Sequence, residues 1–199
     1  DVLAHWNGLG YNRRAKYLQE ACREVCSLYG GKFPRERKLL ESLPGIGPYT
    51  AGAVAAFAFN APEVFIETNI RSVFIFFFFG NTSEKVSDAE ILPLVERTLD
   101  KTNVREWYWA LMDYGAELKK RVQNPSQKSA HYARQSAFRG SLREARGAIV
   151  RQLAEKKSAT LSEIARCEHI ELSRLEKAAF RLVEENFVCE TKGVYRVRE

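Results

Sequence analysis

Residues 43–51 carry the clearest chemical signal in the sequence. They read Leu-Pro-Gly-Ile-Gly-Pro-Tyr-Thr-Ala, with Gly45 and Gly47 one residue apart between two helical patterns. Glycine adopts positive φ at little cost, so this pair permits a tight hairpin. Such a hairpin leaves successive backbone N–H groups unpaired at the start of the next helix, which suits an anion such as a DNA phosphate. A plain connector between two helices is the alternative, because Gly-x-Gly alone is common.

The charge of the chain also favours a polyanionic partner. The 199 residues include 31 Lys and Arg against 25 Asp and Glu, which gives a net charge of +6. Residues 119–139 contain six Lys or Arg and no Asp or Glu. This basic run suits phosphate binding, although a solvated surface is an equally good interpretation.

The cysteines and the apolar runs indicate the cellular compartment of the protein. Cys22, Cys26, Cys167 and Cys189 show neither a dense disulfide framework nor a metal-ligand spacing. We expect buried thiols in a reducing compartment. The apolar run at residues 74–79 is far shorter than the roughly 20 residues of a membrane helix, so we expect a buried helix there. Since no signal-peptide pattern is visible, the predicted location is intracellular, in the cytoplasm and in association with the nucleoid.

Helical periodicity dominates the first 121 residues and sets the elements that must position the hairpin. The helix that follows the hairpin is built of small residues, which indicates close packing against its neighbours. A short extended piece at residues 64–66 separates it from the next helix. The expected helices span residues 6–29 with an interruption at Gly8 and Gly10, residues 34–40 from Pro34, residues from Tyr49 onward, residues 69–79, residues 88–99 with Asp88 as cap, and residues 105–119.

The pattern changes beyond a polar, basic and weakly periodic stretch at residues 122–140, where we place a linker. Helices are expected at residues 141–154, at residues 161–165 after a Thr160 cap, and at residues 172–185. Residues 187–197 alternate as two strands with a turn at Lys192-Gly193. Three helices followed by a β-hairpin are typical of a winged helix. Winged helices bind DNA or mediate protein contacts, and both remain open.

Three motifs in the first 119 residues resemble those of a known family. They are residues 6–15 (Trp-Asn-Gly-Leu-Gly-Tyr-Asn-Arg-Arg-Ala), the hairpin with residues 65–73 after it, and residues 110–116 (Ala-Leu-Met-Asp-Tyr-Gly-Ala). In this order they resemble the helix-hairpin-helix (HhH-GPD) DNA glycosylases, most of all the MutY-type adenine glycosylases. Endonuclease III and the thymine-mismatch glycosylases are the next most similar.

The expected fold is therefore an all-α helix-hairpin-helix glycosylase fold with a C-terminal winged-helix (α+β) domain. We expect the glycosylase domain at residues 1–121, the basic linker at residues 122–140 and the winged helix at residues 141–199. The MutY-type general-acid Glu precedes the first of the three motifs, and this sequence starts too late to contain it. Because no initiator Met is present, we expect the natural protein to extend before Asp1.

The resemblance implies a catalytic carboxylate. Family members place an Asp, usually followed by Gly-Asn, where it stabilises the oxocarbenium-like sugar cation formed as the base departs. Glu67 stands there, with Thr68 and Asn69 behind it. It offers the same charge, but its extra methylene could misplace that charge by about an ångström, which matters for the rate. The alternative for Glu67 is a surface carboxylate on an inactive site. Asn69 matches the asparagine that hydrogen-bonds the carboxylate, or it caps the next helix.

The resemblance also implies how the chain meets DNA. Tyr49 stands where bifunctional members keep a Schiff-base lysine, and tyrosine cannot form that adduct, so AP-lyase activity is not expected. Tyr11 matches an aromatic that wedges into the base stack in MutY-type enzymes, although it could equally be a core residue. The other implied DNA-binding residues are Arg13, Gly45, Ile46, Gly47, Pro48 and Thr50.

Cofactor chemistry is where the sequence departs most from the family pattern. Many members bind an iron–sulfur cluster through four cysteines after the third motif, but no cysteine stands between Cys26 and Cys167. We therefore expect no cluster, with the basic run at residues 119–139 in its place. No metal is expected at the catalytic site. A monovalent cation at the hairpin is the one ion for which the resemblance leaves room.

These observations predict a monofunctional base excision repair glycosylase that acts on double-stranded DNA with a damaged or mismatched base, and no membrane partner. Adenine opposite oxidised guanine is the first expected substrate, although MutY-type enzymes usually read the oxidised guanine with a NUDIX-like C-terminal domain. Thymine or uracil in a mismatch is the alternative substrate. A non-catalytic DNA-binding protein derived from a glycosylase is the alternative of another class.

Overall fold

The computed structural model describes residues 2–6 and 11–198, so the predicted interruption at Gly8 and Gly10 lies outside the described residues. They form two compact units, one of residues 21–134 and one of residues 1–20 with 135–199. No described helix is long and apolar enough to cross a membrane. The described α-helices are α1 (Val2–His5), α2 (Arg13–Tyr29), α3 (Arg37–Glu41), α4 (Pro48–Phe59), α5 (Thr68–Phe78), α6 (Asp88–Thr98), α7 (Val104–Arg121), α8 (Leu142–Lys156), α9 (Leu161–Glu168) and α10 (Leu172–Glu184).

The larger core of the 21–134 unit lies between α5, α6 and α7. Its fully buried side chains include Ile70, Ile91 and Tyr108. Tyr108 stacks on Phe65 with ring centroids 4.0 Å apart, and its hydroxyl donates to the Glu63 carbonyl oxygen at 2.9 Å and accepts from Phe65 N–H at 3.2 Å. Burial raises the pKa of Tyr108 to about 12, so it remains a neutral donor. Tyr108 thus fixes the chain just before Glu67.

A second core in the same unit joins α2, α3 and α4 through Ala21, Val25 and Leu40, with Ala51 and Ala55 from α4. The small residues of α4 pack closely, as the sequence predicts. A Cβ added at Gly52 would lie 3.0 Å from the Cβ of Phe65, so α4 lies directly against the extended segment that leads to Glu67.

The unit that contains residues 135–199 has a core of its own between α8, α9 and α10. Ile149, Leu153, Ile164, Leu175 and Leu182 are its largest fully buried side chains. Strands β1 (Ser158–Thr160), β2 (Val188–Thr191) and β3 (Val194–Val197) form an antiparallel sheet in the order β1-β3-β2.

Most predicted features of this unit are confirmed. Lys192 and Gly193 form the turn between β2 and β3, both with positive φ. Thr160 caps α9 by accepting from Glu163 N–H at 3.3 Å. Strand β1 is the exception that the sequence did not predict, because its three residues are too few to show alternation.

Two predicted helix starts are wrong. Helix α3 begins at Arg37, not at Pro34, because Glu36 is extended (φ −69°, ψ 130°) and Pro34 is buried outside the helix. Helix α6 is capped by Ser87, whose N–H donates to Glu90 Oε2 at 2.9 Å. Asp88, the predicted cap, instead forms an ion pair with Arg71.

The stretch predicted as a linker is ordered by tertiary contacts in its first half. Residues Pro125–Lys128 form a 3-10 helix. Val86 N–H donates to the Lys128 carbonyl oxygen at 2.9 Å, and Ala130 N–H donates to the Val86 carbonyl oxygen at 2.8 Å. The contacts of the 21–134 unit therefore continue beyond the predicted domain boundary at residue 121.

Two predictions of burial are also wrong. In the apolar run at residues 74–79, Phe74 and Ile75 are buried but Phe76, Phe77 and Phe78 are exposed, because a helix turns only one face to its core. All four cysteines are free and exposed. Cys22 and Cys26 each follow a buried residue of α2, Ala21 and Val25, and so lie off the buried face.

Candidate active site

The hairpin between α3 and α4 is a tight turn that ends at a helix N-terminus. Ile46 N–H donates to the Leu43 carbonyl oxygen at 3.1 Å, and Gly45 has φ 71°. Gly47 is the N-cap of α4 with φ −87° and ψ 178°, so the turn requires positive φ at Gly45 only. The tight hairpin that the two glycines predict is present, but only Gly45 uses the positive φ that favours glycine.

The first turn of α4 offers backbone N–H donors at an open surface. Gly47 provides no side-chain cap, and Pro48 has no N–H, so the donors of this turn come from Tyr49 and Thr50. A Cβ added at Gly47 would meet nothing within 4 Å. An anion could therefore approach this helix end without a steric obstacle.

Arg37 ties this helix start to the segment before Glu67. Its Nη2 donates to the Pro48 carbonyl oxygen at 3.2 Å, and its Nη1 donates to the Val64 carbonyl oxygen at 3.0 Å. The same guanidinium pairs with Glu41 and Glu63, which raises its pKa although burial acts in the opposite direction. Arg37 thereby fixes the hairpin relative to the candidate carboxylate.

Glu67 is the N-cap of α5. Its Oε1 accepts from Asn69 N–H at 2.5 Å and from Ile70 N–H at 2.8 Å. Both bonds end on the same oxygen, which leaves Oε2 as the carboxylate oxygen available to a ligand. The side chain is partly exposed, so a ligand can reach it.

Asn69 hydrogen-bonds the Glu67 carboxylate through its backbone N–H, and the cap of α5 is Glu67 itself. The side-chain oxygen of Asn69 instead accepts from Lys119 Nζ at 2.7 Å. Lys119 lies in the last turn of α7, fifty residues later in the chain. Sequence reasoning placed Lys119 only at the start of a basic run, and nothing in its spacing could indicate this contact.

Gly115 explains how α7 comes so close to this place. A Cβ added at Gly115 would lie 2.4 Å from the Asn69 carbonyl oxygen and 2.8 Å from its Cβ. Only glycine lets the two helices approach to this distance. Gly115 and Lys119 are four residues apart, so one face of α7 contacts both the backbone and the side chain of Asn69.

The charge of Glu67 acts on two ionisable groups, Tyr49 and Lys119. Partial burial, and then the negative charge of Glu67, raise the pKa of Tyr49. Burial lowers the pKa of Lys119, the charge of Arg71 lowers it further, and the charge of Glu67 opposes both effects. Tyr49, Glu67 and Lys119 thus form one electrostatic cluster.

Arg71 is held at the edge of this cluster by α6. Its Nε and Nη2 donate to the two carboxylate oxygens of Asp88, each at 2.7 Å. This pair keeps the pKa of Asp88 below its usual range. Within the described residues, no group of three or more His, Cys, Asp or Glu is arranged to hold a metal ion.

Tyr11 and Arg13, the other two residues implied in DNA binding, belong to the second unit. Tyr11 has φ 49°, is 60% exposed, and accepts a hydrogen bond from Gln135 Nε2. Arg13 lies 3.6 Å from a carboxylate oxygen of Glu185. Tyr11 is therefore a surface residue, not part of a core.

Known proteins match part of this chain. Residues 28–57, which include α3, the hairpin and most of α4, match the helix-hairpin-helix motif. An adenine DNA glycosylase of Mycolicibacterium smegmatis is 37% identical over 116 residues, which is 58% of this chain and 40% of that protein. The human adenine DNA glycosylase is 32% identical over 119 residues, which is 58% of this chain and 22% of that protein.

The chain thus contains a helix-hairpin-helix motif and is similar, over a little more than half of its length, to proteins named adenine DNA glycosylase. A thymine/uracil-DNA glycosylase of Methanothermobacter thermautotrophicus is also similar, with 35% identity over 107 residues, which is 53% of this chain and 48% of that protein. A solved thermostable thymine-DNA glycosylase aligns with 31% identity and a TM-score of 0.49, over 60% of this chain and 55% of that one. The chain thus spans less than half the length of the three relatives and about half of the solved chain.

Proposed function

We propose that this chain carries the catalytic site of a monofunctional DNA glycosylase, which hydrolyses the N-glycosidic bond of a flipped-out base in base excision repair. The observation that carries the proposal is the fixed carboxylate of Glu67. It stands at the N-terminus of α5, and its charge acts on Tyr49 in the hairpin helix. Similarity to proteins named DNA glycosylases supports the same reaction class.

Glu67 would stabilise the positive charge that develops on the sugar. As the bond between C1′ and the base breaks, its electron pair leaves with the base, and C1′ acquires cationic character. Because two backbone N–H groups already hold Oε1, Oε2 can face this cation without a large rearrangement. Water then attacks C1′ and releases a proton to solvent, and the departed base takes up a proton from solvent, so that the products are the C1′ hydroxyl and the neutral free base.

The longer side chain of Glu67 is compatible with this role. Aspartate is a preferred N-cap because its short side chain reaches the N–H groups of the first turn. Glu67 reaches the same N–H groups, so its extra methylene is taken up within the cap. We propose that the carboxylate therefore occupies a defined position despite the change from Asp.

Tyr49 would line the pocket for the flipped nucleotide. Its ring packs edge-on against Phe65 with centroids 5.8 Å apart, and it is 49% exposed. A phenol cannot form the imine that a lyase needs, and its raised pKa keeps it protonated at neutral pH. This residue supports the proposal of a hydrolytic reaction without strand cleavage.

The hairpin would hold a phosphate of the duplex beside the flipped nucleotide. The N–H groups of Tyr49 and Thr50 and the helix dipole of α4 favour an anion there. Gly45 makes the turn, and Gly47 leaves room for the phosphate. Ile46 and Pro48 complete the loop, and we propose Tyr11 and Arg13 as further DNA contacts.

For residues 141–199 we propose a winged helix. The element order α8, β1, α9, α10, β2, β3 and the turn at Lys192-Gly193 support this assignment. Helix α10 exposes Lys177 and Arg181, and also Phe180. Its surface is therefore suited to DNA or to a protein. A Lys177→Ala/Arg181→Ala variant that binds duplex as tightly as the parent would exclude DNA from this helix.

Adenine opposite oxidised guanine is the substrate that we propose, because the similar proteins include several named adenine DNA glycosylases. Thymine or uracil in a mismatch is the second candidate, because a protein named thymine/uracil-DNA glycosylase is 35% identical. Both candidates require the same carboxylate and the same phosphate contact.

A panel of duplexes would test the proposal. The full natural protein is incubated with adenine opposite oxidised guanine, thymine opposite guanine, uracil opposite guanine and a fully paired control, and base release is measured. We expect release from the first duplex and none from the control. Release from the second or third alone would change the substrate assignment. Binding without release from any duplex would favour a non-catalytic DNA-binding protein.

A further inference from the structure

We propose that Lys119 is a positioning residue of the candidate active site, which acts through Asn69 to hold the Glu67 carboxylate against the sugar. This inference rests on the proposed function, since it assigns to Lys119 a part in the same reaction. The contact that carries it is the hydrogen bond from Lys119 Nζ to Asn69 Oδ1 at 2.7 Å.

The chain of contacts from Lys119 to the carboxylate is short. Asn69 accepts from Lys119 with its side chain and donates to Glu67 with its backbone N–H at 2.5 Å. If Asn69 is held rigidly, its backbone N–H is fixed in the position where it donates to Glu67 Oε1. Loss of the Lys119 contact would free the side chain and loosen the first turn of α5, to which Glu67 is bound.

The packing of α7 shows that this contact is built into the fold. Gly115, one helical turn before Lys119, brings the backbone of α7 against Asn69 so closely that a Cβ would clash. The lysine side chain is partly buried at the same place. A lysine that served only as a solvated charge would need neither the burial nor the close helix approach.

The negative charge of Glu67 also acts on the Lys119 ammonium and raises its pKa against the effect of burial. Arg71 adds a second positive charge on the same side, but Asp88 neutralises it through a two-point ion pair. Lys119 thus places a positive charge near Glu67 while its Nζ donates to Asn69 Oδ1.

The test is a double-mutant cycle with Lys119→Met and Asn69→Ala. Methionine keeps the length of the side chain but removes the donor, and alanine keeps the backbone N–H that Glu67 accepts. Single-turnover base release at saturating protein, the duplex Kd, and the free energy of unfolding are measured for each variant. Lys101→Met, an exposed lysine in the loop between α6 and α7, is the matched control.

We expect Lys119→Met to slow base release by about tenfold to a hundredfold, with duplex Kd unchanged, because a small misplacement of a catalytic group has effects of this size. Asn69→Ala should slow release to a similar extent, and the double variant should be no slower than the slower single variant. Lys119→Gln, which keeps a neutral donor, should recover part of the rate. The control should match the parent.

Multiplicative slowing in the double variant would overturn the proposal, since Lys119 would then act independently of Asn69. A weaker Kd with an unchanged release rate would also overturn it and would make Lys119 a phosphate contact. If the parent protein releases no base, the proposed function fails. The free energies of unfolding of the same variants then test the contact between Lys119 and Asn69. If the losses in the two single variants do not add up in the double variant, the contact is upheld; if they add up, it is rejected.

Discussion

Glu67 has two tasks at the scale of the single residue. It caps α5 by accepting two backbone N–H bonds, and it supplies the charge that acts on Tyr49 and Lys119. A negative charge at a helix N-terminus is stabilising by about 0.3–1 kcal/mol. The cap therefore helps to keep the carboxylate oriented before DNA arrives. An active site made in this way needs no large movement of the carboxylate to meet a sugar cation.

The two hairpin glycines should respond differently to alanine. Gly45→Ala forces a Cβ into positive φ, so we expect a loss of about 1–2 kcal/mol in the free energy of unfolding. Gly47 has an ordinary φ, and an added Cβ would lie in open space. Gly47→Ala should therefore lower the free energy of unfolding by only about 0.5 kcal/mol, because alanine is a poorer N-cap. Denaturant unfolding measures both. An equal loss at the two positions would contradict the hairpin geometry.

At the scale of elements, the contact between α5 and α7 sets the site. Gly115→Ala would place a Cβ 2.4 Å from the Asn69 carbonyl oxygen. We expect about 1–3 kcal/mol of destabilisation from overpacking and a large drop in base release, because the N-terminus of α5 must move. Thermal unfolding and single-turnover release are the measurements.

Gly147→Ala provides the matched control for this prediction. Gly147 lies inside α8, where an added Cβ would meet nothing within 4 Å. Alanine should therefore stabilise this helix by up to about 1 kcal/mol and leave base release unchanged. If Gly115→Ala were as harmless as Gly147→Ala, the close approach of α7 to Asn69 would be disproved.

Sequence patterns predicted the elements better than the contacts between them. Helix periodicity and caps such as Thr160 depend on neighbours in the chain, so α4, α9 and α10 could be placed from the sequence. The contact of Lys119 with Asn69 joins residues fifty positions apart and leaves no local signal. The exposure of Phe76–Phe78 was missed for a related reason, since an apolar run does not show which face of its helix is covered.

Part of the site could be predicted and part could not. The hairpin was visible in two glycines and a proline, and Glu67 was visible through family resemblance. Glu67 also caps α5, and the backbone N–H of Asn69 donates to its carboxylate. Both contacts depend on the rotamer of Glu67, which residue spacing does not show. Positive φ at Gly45 and not at Gly47 is likewise a property of the folded turn.

At the scale of the whole molecule, the chain joins a helix-hairpin-helix unit to a helical unit with a three-stranded sheet. The basic run at residues 119–139 starts at the candidate site and continues along the chain to Arg139. Together with the net charge of +6, it favours a polyanionic partner.

We expect purified protein to be colourless and to contain no stoichiometric iron. Cluster ligation needs cysteines in the right place, and no cysteine stands between Cys26 and Cys167. Metal analysis and the visible absorption spectrum measure this directly. One iron–sulfur cluster per chain would contradict this prediction. It would also contradict the expectation that the basic run at residues 119–139 stands in place of the cluster.

The role of Glu67 as the catalytic carboxylate is the central claim, and single-turnover base release by Glu67→Gln tests it most directly. Glutamine can still accept the two N–H bonds of the cap but carries no charge, so the fold should persist while the sugar cation loses its partner. Glu67→Asp keeps the charge and is a good cap. Glu96→Gln, on the exposed face of α6, is the control.

We expect Glu67→Gln to release the base about a hundredfold to a thousandfold more slowly than the parent, which is the usual effect of losing one such electrostatic contact. Duplex binding should persist, because the substitution leaves unchanged the phosphate contacts that we propose for the hairpin. Glu67→Asp should retain activity, and Glu96→Gln should match the parent. Unchanged base release by Glu67→Gln would show that Glu67 is not the catalytic carboxylate and that the reaction depends on another group.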